Sequence, residues 1–173
     1  MSEHLLVDSQ TRTLTWSGGT VDCALGKGGV RPAADKREGD GATPLGCYPL
    51  RWLYYRPDRL DRPVTGLAIE ALTPDAGWCD AADAPTYNQP VRHPCPVSAE
   101  QLWRADGLYD LIVVLGHNDR PVIPGLGSAI FLHCSKVDDA GALKPTLGCI
   151  AVPRPTLLAI VAGCDTGSTL EIR

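Results

Sequence analysis

The sequence has no run of about 18 apolar residues, so no helix in it is expected to cross a bilayer. It has no basic excess either. Sixteen Lys and Arg against twenty Asp and Glu leave a formal charge of −4. A nucleic-acid binder needs a basic patch to neutralise phosphates, so that class is set aside. Aromatic residues make up 6% of the chain, too few for an array that stacks bases. No CxxC pair occurs, which removes the usual local sign of structural zinc. The opening stretch, MSEHLLVDSQTRTLTW, is polar and acidic where a secretory leader is basic and then apolar, so it is expected to carry no export signal.

What is present fits one domain spanning residues 1–173, with 44% apolar residues to build a core. Gly (18) and Pro (15) are abundant and dispersed, which favours short strands and many turns over a helix bundle. Seven cysteines, an odd number, leave at least one thiol unpaired in a monomer. Most are expected to serve as small buried hydrophobes.

Strands are expected at His4–Asp8, Thr11–Trp16, Thr20–Leu25, Leu67–Leu72 and Ser168–Ile172, and over Leu45–Tyr55 with a break at Pro49. The clearest central strands are Leu108–Leu115 and Gly127–His133, followed by a short strand or turn at Gly148–Val152. Gly26–Pro44 reads as a long polar loop, of a length that often carries function. Thr73–Pro96 reads as irregular because prolines punctuate it. Ser98 and Gln101 stand at capping-box spacing, which predicts a short helix over Ser98–Trp103. A second helix is predicted at Pro155–Ala162.

Thr146-Leu147-Gly148-Cys149 is the segment best suited to chemistry. A cysteine after glycine at the end of a Pro- and Gly-bearing loop can present its sulfur at a turn, and the glycine allows close backbone approach. The N–H groups of Gly148 and Cys149 are candidates to face a developing oxyanion. A thiol needs a nearby base to react at neutral pH. His133, at the end of an apolar strand, is the candidate base.

The pair GSAIFLH and PTLGCIAV together resemble the YkuD-type L,D-transpeptidase family, whose members carry a His and then a Ser/Thr-x-Gly-Cys signature. Thr43-Pro44-Leu45-Gly46 looks like the family's Thr-Pro-x-Gly motif. Gly77-Trp78-Cys79-Asp80, Leu102-Trp103-Arg104-Ala105-Asp106 and Leu108-Tyr109-Asp110 look like one branch of it, so the resemblance covers nearly the whole chain. Many members have His two residues before the cysteine and Arg or Asn two after it. Here those positions are Leu147 and Ala151, so the resemblance puts the full weight of base catalysis on His133.

The resemblance implies a mainly β fold, a two-sheet mixed sandwich with one or two short helices. It implies ping-pong acyl transfer on peptidoglycan stem peptides. Cys149 attacks the third residue of a tetrapeptide, D-Ala leaves, and an amine takes the acyl group from the thioester. It implies acylation by carbapenems, a backbone carbonyl orienting the His, no metal or cofactor, and a location in the periplasm or cell envelope. A monomer is expected. Catalytic roles fall to Cys149, His133 and Gly148. Candidate substrate contacts are Thr146, His117, Asp119, Trp78, Asp80 and Arg104, with Tyr87 and Arg92 beside them. Hydrolysis by the same site, a non-catalytic wall-binding domain, and a metal site of His133, Cys134 and Cys149 are the alternatives.

Overall fold

The computed structural model describes residues 2–173. Its axis is one long strand. Numbered in chain order, the strands are β1 (His4–Asp8), β2 (Thr13–Trp16), β3 (Gly19–Asp22), β4 (Val30–Pro32) and β5 (Thr43–Tyr55). They continue as β6 (Ile69–Ala71), β7 (Ala76–Cys79), β8 (Pro90–Arg92), β9 (Ala99–Gln101) and β10 (Leu111–Leu115). β11 (Phe131–Cys134), β12 (Ile150–Val152), helix α1 (Arg154–Gly163) and β13 (Thr169–Ile172) complete the chain. The fold is mainly β, with two sheets and one α-helix, as expected.

The larger sheet runs β12-β11-β10-β5-β13-β1-β2-β3, with β4 and β6 also on β5. β5 serves two sets of neighbours. Gly46 to Pro49 pair with β13, and Leu50 to Tyr55 pair antiparallel with β10. Pro49 therefore does not break the strand. It stands where the partner changes, a position at which a missing N–H costs the ladder little.

Both halves of the larger sheet share one core. Leu5, Val7 and Leu14 from β1 and β2 pack in the same cluster as Leu53, Leu111, Val113, Leu132, Ile150 and Val152. Helix α1 adds Leu157, Ile160 and Val161, residues spaced to lie on one helical face. Proline at the second helical position fits a site whose N–H has no intrahelical partner.

The smaller sheet, β8-β7-β9, covers the other face of β10–β12. Trp78 from it and Leu102 just past β9, with Tyr109 beside them, pack with Ile112, Val114, Phe131 and Cys149. This explains why β10, β11 and β12 are buried at every position, and apolar at all but His133, rather than alternating: both faces are covered.

Three further expectations fail here. Ser98–Trp103 is not a helix; Ala99–Gln101 is β9, paired antiparallel with β7. The capping spacing is local, and the tertiary pairing overrides it. Thr73–Pro96 is not irregular throughout, because β7 and β8 lie in it. Pro90 is tolerated because β8 is an edge strand. The expected loop Gly26–Pro44 also contains β4, a 3-10 turn at Ala33–Asp35 and the start of β5.

Candidate active site

Strand parity sets the site. β11 and β12 pair parallel, with Leu132 opposite Ile150 and His133 opposite Ala151. Alternate residues share a face. Leu132, Cys134, Ile150 and Val152 point into the shared core, so His133 and Cys149 both turn toward the smaller sheet. There they line a cleft of about 650 Å3, within the size range of ligand pockets. The same parity disposes of the metal alternative: Cys134 faces the opposite side of β11 from His133.

Cys149 is buried. Its thiol donates to the Ala129 carbonyl at 3.1 Å and accepts from the Phe131 N–H at 3.4 Å. Burial, and then the charge of Glu100, push its pKa up to about 12, against a smaller lowering from the Phe131 N–H. At rest it is a thiol.

His133 is also buried. Its Nδ1 lies 2.9 Å from the Cys134 carbonyl. A carbonyl only accepts, so Nδ1 carries the proton and Nε2 keeps a lone pair. The orienting carbonyl implied by the resemblance is thus that of Cys134. Burial lowers the His133 pKa to about 4, against a smaller raising by that carbonyl. The resting pair is a neutral thiol and a neutral imidazole.

Gly148 precedes the thiol at φ +136. A Cβ there would meet the Ala42 carbonyl oxygen at 2.8 Å, so the turn admits no side chain. Its N–H donates to Thr146 Oγ1 at 3.1 Å, which corrects the expectation that it faces an oxyanion. The Cys149 N–H makes no backbone bond to a described residue and remains the donor at this turn. The Thr146 hydroxyl donates to the Cys149 carbonyl at 2.6 Å, so this side chain ties the turn together from inside.

The cleft wall is built from distant parts of the chain. Lys27, Lys36, Glu38, Gly39 and Gly41 come from the expected long loop. Lys136, Lys144 and Leu147 come from the β11–β12 connection, and Asp80, Glu100, Arg104 and Tyr109 from the side of the smaller sheet. Leu147 is 73% exposed at its edge, and Ala151 lies inside. Lys36 is committed to Asp40 at 2.6 Å. Lys27, Lys136 and Lys144 enter no ion pair among the described residues.

Of the other candidates, Asp80, Arg104 and Thr146 line this cleft. Arg104 is held by Asp106 and lies over the Tyr109 ring, 5.2 Å from its centroid. His117, Asp119, Trp78, Tyr87 and Arg92 do not line it, which corrects those expectations. His117 is buried on Leu126 O at 3.0 Å and against Tyr48. Asp119 pairs with Arg51 at 2.6 Å. Arg92 pairs with Asp75 at the surface. The Tyr87 hydroxyl donates to Glu38 and accepts from the Gly127 N–H.

Trp78 acts from behind. Its indole N–H donates to Asn88 Oδ1 at 2.9 Å, and the same oxygen accepts the Ala129 N–H at 3.0 Å. Asn88 thus fixes the segment whose carbonyl holds the Cys149 thiol. Sequence reasoning missed Asn88, Glu100 and Tyr109. Strand alternation through Trp78 and Leu102 would have placed Glu100 on the cleft face had β9 been recognised.

The sequence matches the family model described as the L,D-transpeptidase catalytic domain, YkuD, over residues 2–172. No curated protein matches it. Among solved structures it is similar to an L,D-transpeptidase from Mycobacterium tuberculosis H37Rv, with 13% identity and TM-score 0.48 over 99% of this chain and 57% of that one. An L,D-transpeptidase from Mycobacterium smegmatis gives 10% identity and TM-score 0.47 over 99% and 58%. L,D-transpeptidase 3 from M. tuberculosis gives 14% identity and TM-score 0.49 over 99% and 61%. The chain therefore spans about three-fifths of the length of these structures.

Proposed function

The chain belongs to the YkuD family of L,D-transpeptidase catalytic domains, and from that membership we propose that it is a cysteine acyltransferase of peptidoglycan stem peptides. The observation that carries the reading is the pairing of β11 with β12. It turns His133 and Cys149 to one face and into one cleft, with the imidazole Nε2 unprotonated.

Because thiol and imidazole are both neutral at rest, His133 acts as a general base rather than as half of a standing ion pair. The thiol leaves the Ala129 carbonyl, passes its proton to His133 Nε2, and its sulfur bonds to the acyl carbon of the stem's third residue. The Cys149 N–H donates to the oxyanion. His133 then protonates the departing amine, the C–N bond to D-Ala breaks, and a thioester remains. A second stem's amine gives its proton to His133 as it attacks, and the Cys149 thiol is restored. Water in place of that amine gives hydrolysis. Lys27, Lys136 and Lys144 offer free cations for the stem's carboxylates. This chemistry puts the domain at work in the periplasm or cell envelope.

Intact-mass spectrometry after exposure to a carbapenem tests the nucleophile. A single adduct is expected on the wild type and none on Cys149→Ala. An equal adduct on both, or none on either, rejects the reading. Feeding a tetrapeptide donor with and without an amine acceptor then separates transfer, which yields crosslinked product, from hydrolysis.

A further inference from the structure

Glu100 stands opposite Trp78 in the β7–β9 register. Directly opposed residues share a face, so Glu100 looks with Trp78 toward β10–β12 and into the cleft. Asp80, two residues beyond Trp78, follows the same parity and lines the same cleft. Neither carboxylate has a Lys or Arg partner among the described ion pairs. Arg104, the cation on that side, is occupied by Asp106. Asp80 Oδ1 is wholly buried and accepts no hydrogen bond. A buried carboxylate oxygen without a donor is costly, and what satisfies it is a cation with several N–H groups.

Glu100 is also connected to the reacting pair. The Tyr109 hydroxyl donates to Glu100 Oε1. The Tyr109 ring meets His133 edge to face, with centroids 5.2 Å apart at 81°. Burial holds the Glu100 carboxyl above its ordinary pKa, and Tyr109 and Arg104 offset only part of that, while Asp80 and Glu38 add to it. The pocket is therefore polarised. Uncompensated carboxylates stand on the smaller sheet, free lysines on the β11–β12 connection and at Lys27, and Cys149 is in the wall they share.

Resting on the acyltransferase reading, we propose that Glu100, with Asp80 beside it, is the specificity-determining residue for the donor. It takes the side-chain ammonium of a diamino acid at the acylated position. Tyr109 is a positioning residue that fixes Glu100 relative to His133. A donor with an uncharged side chain leaves the carboxylates unsatisfied and is rejected, the asymmetry expected of a site built around a charged partner.

Two tetrapeptide donors test this, identical except that the third residue's side-chain amine is free in one and acetylated in the other. D-Ala release gives kcat/KM for each. The wild type is expected to prefer the free amine by about ten- to a hundredfold, the range of one charge-assisted hydrogen bond. Glu100→Gln, which keeps an acceptor for Tyr109, is expected to bring the ratio to within about threefold. Glu100→Asp is expected to recover part of it. An unchanged ratio in Glu100→Gln, an equal loss on both donors, or no preference in the wild type overturns the proposal. Calorimetric binding of the same peptides to Cys149→Ala, alone and with Glu100→Gln, separates the two readings. Binding preference for the free amine that disappears with Glu100→Gln, beside a wild type that turns over neither donor, keeps the subsite and rejects the acyltransferase. Turnover with no preference does the reverse.

Discussion

The Cys149 thiol reacts only as fast as it loses its proton, and its surroundings oppose that loss. Burial and Glu100 hold its pKa near 12, while His133, near 4, carries no charge at neutral pH to offset them. The sign follows directly. Below its raised pKa the thiolate fraction grows with pH, so alkylation of Cys149 by iodoacetamide is expected to climb about tenfold per unit between pH 7 and 9. A thiolate held by an imidazolium gives instead a rate that is flat above about pH 5, and that plateau would refute a neutral resting pair. Cys149 and His133 were legible as residues because a turn glycine and a strand end mark them. Their protonation was not, because it depends on the covering sheet. Gly148 was legible as a close-approach glycine, yet its N–H belongs to Thr146.

At the scale of elements, the turn before β12 and the pairing of β11 with β12 deliver the sulfur. Gly148 combines a positive φ with a backbone oxygen 2.8 Å from where a Cβ would stand. Gly148→Ala is expected to cost about 1–3 kcal/mol in urea unfolding and to slow adduct formation, since the strain displaces the thiol. Unchanged stability together with unchanged acylation would show that the turn relaxes freely. Strands β10 and β11 were readable because the runs LYDLIVVL and GSAIFLH suit a buried strand, while Gly148–Val152 by itself reads as a strand or a turn. β9 was not. Its spacing imitates a helix start, and only pairing with β7 makes it a strand. With β9 unread, Glu100 had no face assigned, and the polar half of the cleft was incomplete.

Across the molecule, one core joins elements from both ends of the chain. β1 lies parallel to β13, and residues of both pack with β5, β10, β11 and α1. Residues 2–173 are therefore expected to unfold in one cooperative transition, with the cleft lost at the same denaturant concentration as the β signal. Far-ultraviolet circular dichroism and Cys149 accessibility should trace one curve. Two separated midpoints would show that the smaller sheet is an independent unit. The sequence by itself determined the mainly β class, because hydrophobic patterning is a local property, and its motifs carried the resemblance to the family and marked Cys149 and His133 as the candidate nucleophile and base. Tertiary structure decided which carboxylates and lysines face the sulfur, and which candidates, His117, Asp119 and Trp78 among them, stand behind it or away from it. The physical reason is that a side chain's face is set by strand register, and register is fixed only when distant segments pair. Polar groups from distant parts of the chain, Lys27 and Lys144 among them, then share one cleft around Cys149.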